Sequence, residues 1–179
     1  MAYTITDHVV APLPIANIDT GVTFGVSASA SPTPPLTLGM VVRAVDPTFG
    51  AGEFILLTGV ASNTVGTVVQ YDASTFVPTI PTAANVNKSG MPLAVSMAAN
   101  TSATNWSWYQ ISGTAVCKKT TVKFTNKQAV GFISTGVLGK NASGVQILGM
   151  RTANTTSIAS ATTTINVTLN RPNMMGRIT

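Results

Sequence analysis

The sequence has one cysteine, one histidine and, after residue 72, no carboxylate. Each shortage excludes a class of protein. With Cys117 alone, no intramolecular disulfide can form, so this is not a small disulfide-stapled scaffold. Its thiol reads as a buried small hydrophobe. Nucleophilic catalysis of the Ser/His/Asp or Cys/His kind needs a base, and the only histidine is His8. It lies in a stretch that reads as an arm, where a base cannot be held within the ~0.5 Å that a site demands. The five acids are Asp7, Asp19, Asp46, Glu53 and Asp72. Glycoside hydrolysis needs two carboxylates at fixed separation. Asp46, Glu53 and Asp72 instead fall at expected turns and strand starts, where carboxylates cap backbone N–H groups. One Cys, one His and dispersed acids make neither a zinc set nor a calcium loop. No catalytic residue, cofactor or metal is therefore expected, and the chain does not read as an enzyme.

Charge is also scarce. Only 8% of residues are charged, against a usual fraction of about 25%, while 45% are hydrophobic. Ser, Thr, Asn, Ala and Gly fill the difference. A surface this neutral suits a protein packed against other proteins. The charge that exists is split along the chain. Residues 1–72 hold one arginine against all five acids, a formal −4, and residues 73–179 hold nine cations and no acid, +9. The split suggests complementarity between copies, or between the chain and a surface that it coats. No run approaches the ~18 apolar residues of a membrane helix, so no membrane is expected. Residues 1–8 lack a basic n-region and an apolar h-region, so no secretory signal is expected and synthesis is assigned to the cytoplasm.

The length of 179 residues fits one domain with an arm. Residues 1–35 form the expected extended N-terminal arm. Val9, Val10, Leu13 and Ile15 are interrupted by Pro12 and Pro14, which bar a helix. Residues 27–35 are low-complexity and Pro-rich. Residues 36–179 form the expected β domain, with a strand-rich core at 36–116 and further strands at 117–179. Strands are predicted at 38–45, 53–60, 65–71, 93–97 and 106–117, then at 121–124, 128–133, 145–150 and 162–169. The runs are short, β-branched or aromatic, and separated by Gly, Pro, Asn and Ser. Over 162–169, Ile165, Val167 and Leu169 alternate with Thr164, Asn166 and Thr168, which marks a half-buried strand. The single helix candidate is a short connection at 97–103. The fold class is all-β, a compact β-barrel or β-sandwich.

Two constellations merit weighing. Lys118, Lys119, Lys123 and Lys127 form the one tight basic cluster, and alternation would put Lys119 and Lys123 on one strand face. Only Phe124 lies among them, so the aromatic interleaving of a nucleic-acid site is missing and direct nucleic-acid binding is not expected. A solvated face or an acidic protein contact is the better reading. Trp106 and Trp108 share one strand face, as a sugar-stacking shelf would require. Core or subunit-interface packing is the competing reading. Residues 136–140, Gly-Val-Leu-Gly-Lys, have the wrong spacing for a phosphate loop and read as a turn.

An ordered set of segments carries a family resemblance. These are Gly52-Glu-Phe-Ile-Leu-Leu-Thr-Gly-Val-Ala61, Gly66-Thr-Val-Val-Gln-Tyr-Asp72, Met91-Pro-Leu-Ala-Val-Ser-Met-Ala98 and Trp106-Ser-Trp-Tyr-Gln-Ile-Ser-Gly-Thr-Ala-Val116. With looser matches through Asn170-Arg-Pro172, the set resembles tailed-bacteriophage head decoration (cement) proteins over roughly two thirds of the chain. The arm lies outside the resemblance. It implies a virion protein on the capsid exterior that clamps adjacent capsomers. The implied partner is the major capsid protein, the implied assembly a homotrimer, and there are no catalytic residues to carry over. The interface candidates are Val9, Val10, Leu13, Ile15, Trp106, Trp108, Lys118, Lys119 and Lys123. The alternative is a receptor- or glycan-binding fibre or adhesin domain, motivated by the Trp106/Trp108 shelf.

Overall fold

The computed structural model describes residues 4–5, 15, 18–19, 36–82 and 89–175. Two short strands open the chain, β1 (Thr4–Ile5) and β2 (Ile18–Asp19). Five follow: β3 (Val41–Asp46), β4 (Gly50–Thr58), β5 (Val68–Tyr71), β6 (Pro78–Thr79) and β7 (Leu93–Ser96). The last five are β8 (Trp106–Lys118), β9 (Ala129–Ser134), β10 (Val137–Lys140), β11 (Gln146–Thr152) and β12 (Thr164–Met174). No helix occurs among the described residues, and 97–103 is irregular.

The strands form one antiparallel sheet in the order β1-β3-β4-β8-β12-β11-β9-β10, curled into a half-barrel. A branch runs from β8 through β7 to β5 and β6. The branch point is a divergence of two strands. At Ser112 the central strand pairs with β4 through Glu53 and with β12 through Asn170. Two residues earlier, Gln110 pairs with Val95 of β7 instead of β12. The curl brings β10 back towards the end of β8. There Lys119 bridges Leu138, and the Thr120 N–H donates to the Leu138 carbonyl at 2.9 Å.

β8 explains why one sheet holds three cores. In its first half both faces are covered, so 106–111 is a continuous buried run. Trp106 and Trp108 pack with Ile15, Val42, Phe54, Leu56 and Met97. The opposite face sends Tyr109 and Ile111 against Ile55, Leu57, Val69 and Ala94. A bulge at Ile111, where the β4 register shifts, re-aims the strand. Gly113 follows at φ +94°, and a Cβ there would lie 2.4 Å from the Ala51 carbonyl oxygen, so only glycine fits. Beyond it the strand alternates, and Ala115 and Cys117 enter the half-barrel core with Phe124, Val130, Phe132, Leu138, Ile165 and Val167.

The structure revises several expectations. The described parts of residues 1–35 lie on the chain's own domain. Thr4 and Ile5 pair with Val45 and Ala44, Ile18 and Asp19 pair with Ser107 and Trp106, and Ile15 is 2% exposed within the tryptophan core. At those points the segment completes the sheet instead of reaching over a neighbour. The turn expected at 136–140 is β10. Gly136, at φ +65°, belongs to the β9–β10 connection, and Gly139 lets the Ile133 side chain cross the strand. The strand expected at 121–124 is absent. The Val122 N–H folds back onto the Thr120 carbonyl at 2.7 Å, and only Phe124 bridges, to Ile158.

Candidate interaction face

The carboxylates whose side chains are described all serve the fold. Asp46 Oδ1 accepts the N–H groups of Thr48 and Phe49 at 2.8 and 2.9 Å and closes the β3–β4 turn. Asp72 Oδ1 accepts the Ser74 hydroxyl and the N–H groups of Ser74 and Thr75. Those bonds, the Ser74 hydroxyl first, hold Asp72 below the usual carboxylate range. Both are the turn roles read from the sequence. Glu53 joins the acidic and basic stretches of one chain. Its Oε2 accepts Arg171 Nε at 3.1 Å and lies 3.0 Å from Nη2, while its Oε1 lies 3.5 Å from Arg43 Nε. Part of the charge split is thus neutralised within the molecule.

Trp106 and Trp108 are 4% and 2% exposed, so they offer no shelf to a sugar and no contact to a neighbour. They share one face as expected, but that face is core. Ile15, another interface candidate, is core as well. Val9, Val10 and Leu13 lie outside the described residues.

The lysine cluster comes apart. Lys118 is half-buried, and its Nζ donates to Thr64 Oγ1. Lys119 is 5% exposed; its Nζ donates to the carbonyls of Thr120 and Val122 at 3.0 Å and of Ser160 at 3.4 Å. It also lies 5.9 Å from the centre of the Phe124 ring. Desolvation lowers its pKa. Lys119 therefore pins the 120–122 turn to the 160 loop and is not part of a solvated face. Lys123 alone of the three candidates is exposed. Alternation fails to join Lys119 and Lys123 because β8 ends at Lys118.

Among the described residues no three His, Cys, Asp or Glu side chains gather as metal ligands. Cys117 is buried, and burial pushes its thiol far up. No helix among the described residues is long and apolar enough to cross a membrane.

What the sequence did not announce is a continuous outer face. Cross-strand partners share a face, so register alone defines it. One row runs Arg43, Glu53, Ser112, Asn170 across β3, β4, β8 and β12. The next runs Thr114, Thr168, Arg151, Ala129 across β8, β12, β11 and β9. Val41 and Val45 flank Arg43 on β3, at 40% and 45% exposure. Two shallow concavities lie on this face. One, of about 310 Å³, is lined by residues including Arg43, Val45, Glu53 and Ser112. The other, of about 370 Å³, is lined by Gly149, Met150, Arg151, Thr168 and Asn170. The face mixes short neutral side chains with spaced arginines and exposed valines. Such a surface loses little hydration on contact and presents forked donors to carboxylates and carbonyls. No protein-family model, curated protein or solved structure matches the chain.

Proposed function

We propose that this chain is a structural virion protein that decorates a bacteriophage capsid and stabilises it by clamping adjacent capsomers, as a homotrimer on the capsid exterior. The observation that carries the reading is the outer face of β3, β4, β8, β12 and β11. Its rows of Ser, Thr, Asn and Ala, with Val41 and Val45 exposed, suit burial against protein. Its arginines supply orientation at a small desolvation cost. Two of the segments that carry the family resemblance, 52–61 and 106–116, fall on β4 and β8 of this face. Clamping is a mass-action effect: a ligand that binds only the assembled shell stabilises it. A standard interface of ~1,600 Å² per contact is enough for specific attachment. The glycan-binding reading loses its motive with the burial of Trp106 and Trp108.

The test is add-back to empty phage shells that lack this chain. The purified protein should co-pellet with the shells in fixed stoichiometry and raise their melting temperature. Val45→Glu, which charges the exposed row of β3, should reduce co-pelleting while leaving the monomer folded. Absence of co-pelleting by the unaltered protein would refute the proposal.

A further inference from the structure

Some basic residues of the second half of the chain, distant in sequence, are brought together by the fold. Lys123, Lys127, Lys140 and Arg151 are all exposed, and none enters an ion pair among the described residues. The fold gathers three of them, Lys123, Lys127 and Arg151, around the start of β9. Arg151 pairs with Ala129 and shares its outer face, whereas Lys140 pairs with the buried Val130, lies on the opposite face of the strand and is not part of the same patch. Lys127 sits in the turn that leads into β9. That turn is fixed to β11 by Thr152, whose N–H donates to the Gln128 carbonyl at 2.9 Å and whose hydroxyl donates to the Thr125 carbonyl at 2.8 Å. Lys123 is two residues before Thr125. The Thr152 hydrogen bonds therefore hold the turn that carries Lys127 beside Arg151, with Lys123 close by in the chain. No acid follows residue 72 to offset them locally.

We infer that this end of the half-barrel is a docking surface for an acidic polypeptide segment, with the concavity beside Arg151 receiving a carboxylate. Three observations favour an acidic protein over a nucleic acid. The nearby aromatics Phe124 and Phe132 are 0% exposed, so the described residues here offer no base-stacking platform. Exposed apolar side chains on the same two strands, Ile133 on β9 and Leu148 on β11, at 46% and 47%, suit the apolar residues of a peptide. The concavity at Arg151 is lined by Met150, Thr168 and Asn170, a mixed wall that fits a side chain better than a hydrated phosphate chain. The concavity at Arg151 belongs to the outer face of the capsid reading, so the inference rests on that face and names the chemistry of its ligand; binding of a free polyanion tests that chemistry apart from any shell.

The test uses the full chain and two defined polyanions, poly-L-glutamate and polyuridylate, in fluorescence anisotropy titrations over a salt series. Poly-L-glutamate should bind more tightly than polyuridylate, with affinity that falls as salt rises. The double variant Lys127→Gln/Arg151→Gln should weaken poly-L-glutamate binding by about tenfold, as expected for loss of two close charge contacts. The control Lys118→Gln removes a charge away from this face and should change it by less than about twofold. Tighter binding of polyuridylate, a loss in the control as large as in either single variant Lys127→Gln or Arg151→Gln, or no binding of poly-L-glutamate would each overturn the inference.

Discussion

Replacing Trp108 by alanine separates a core tryptophan from a ligand shelf. The side chain is 2% exposed and packs with Ile15, Val42, Phe54, Leu56, Met97 and Trp106. Truncating a buried Trp costs about 3–5 kcal/mol in lost transfer energy and cavity formation. That is a large fraction of the 5–15 kcal/mol that typically holds a domain together. For a domain of this size each kcal/mol lowers Tm by roughly 2–4 °C, so the expected fall is about 6–20 °C. Trp108→Phe should lose much less, since the ring keeps most of the contact. Urea unfolding followed by far-ultraviolet circular dichroism measures both, with an unchanged m-value securing the comparison. An exposed shelf tryptophan would behave as a surface residue, with changes within about 0.5 kcal/mol. A loss below about 1 kcal/mol for Trp108→Ala would refute the packing described here.

Two further predictions concern β8. Burial pushes the Tyr109 hydroxyl from 10.0 up to about 12, against the opposing pull of hydrogen bonds with Ser107 and Asn63. Between those values the unfolded tyrosine ionises while the native one keeps its proton, so stability should fall as pH rises from 10 to about 12. In Tyr109→Phe that decline should be shallower, the remainder coming from Cys117 and Tyr71, which burial also raises; urea midpoints across the window will measure it, and an identical slope in the variant would count against the assignment. Gly113→Ala should cost more than Gly50→Ala. Both glycines have positive φ, worth about 1–3 kcal/mol to a side chain. Only the first would also drive its Cβ to 2.4 Å from the Ala51 oxygen, while the second meets nothing within 4 Å. Equal losses in thermal melts would show that the close approach of β4 and β8 is not rigid.

The strands that the sequence revealed are those whose periodicity is undisturbed. β12 alternates Ile165, Val167 and Leu169 with polar residues, and those three are buried. β8 was legible as an aromatic, β-branched run, although its change from two covered faces to one was not. β10 was hidden by its glycines. Gly136 is a turn residue of the β9–β10 connection, and Gly139 looks like one until the crossing of Ile133 supplies its reason. The lysine cluster misled because spacing along the chain was extended past Lys118, where the strand ends and Lys119 turns inward to three backbone carbonyls. The basic end around β9 was invisible for the converse reason. Lys127 and Arg151 are far apart in sequence and are brought together only by the pairing of β9 with β11 and the Thr152 hydrogen bonds.

The charge split has likewise changed its meaning. Glu53 ties to Arg43 and Arg171 within one chain, Asp46 and Asp72 are absorbed in turns, and exposed positive charge remains at one end. The measurement that bears most directly on the proposed role is electron cryo-microscopy of purified virus particles that carry this chain. The account predicts half-barrel density on the outside of the shell, bridging neighbouring capsomers, with the Arg43–Glu53–Arg171 face turned towards the capsid. A shell whose exterior lacks this density, or density confined to a tail or fibre, would contradict it.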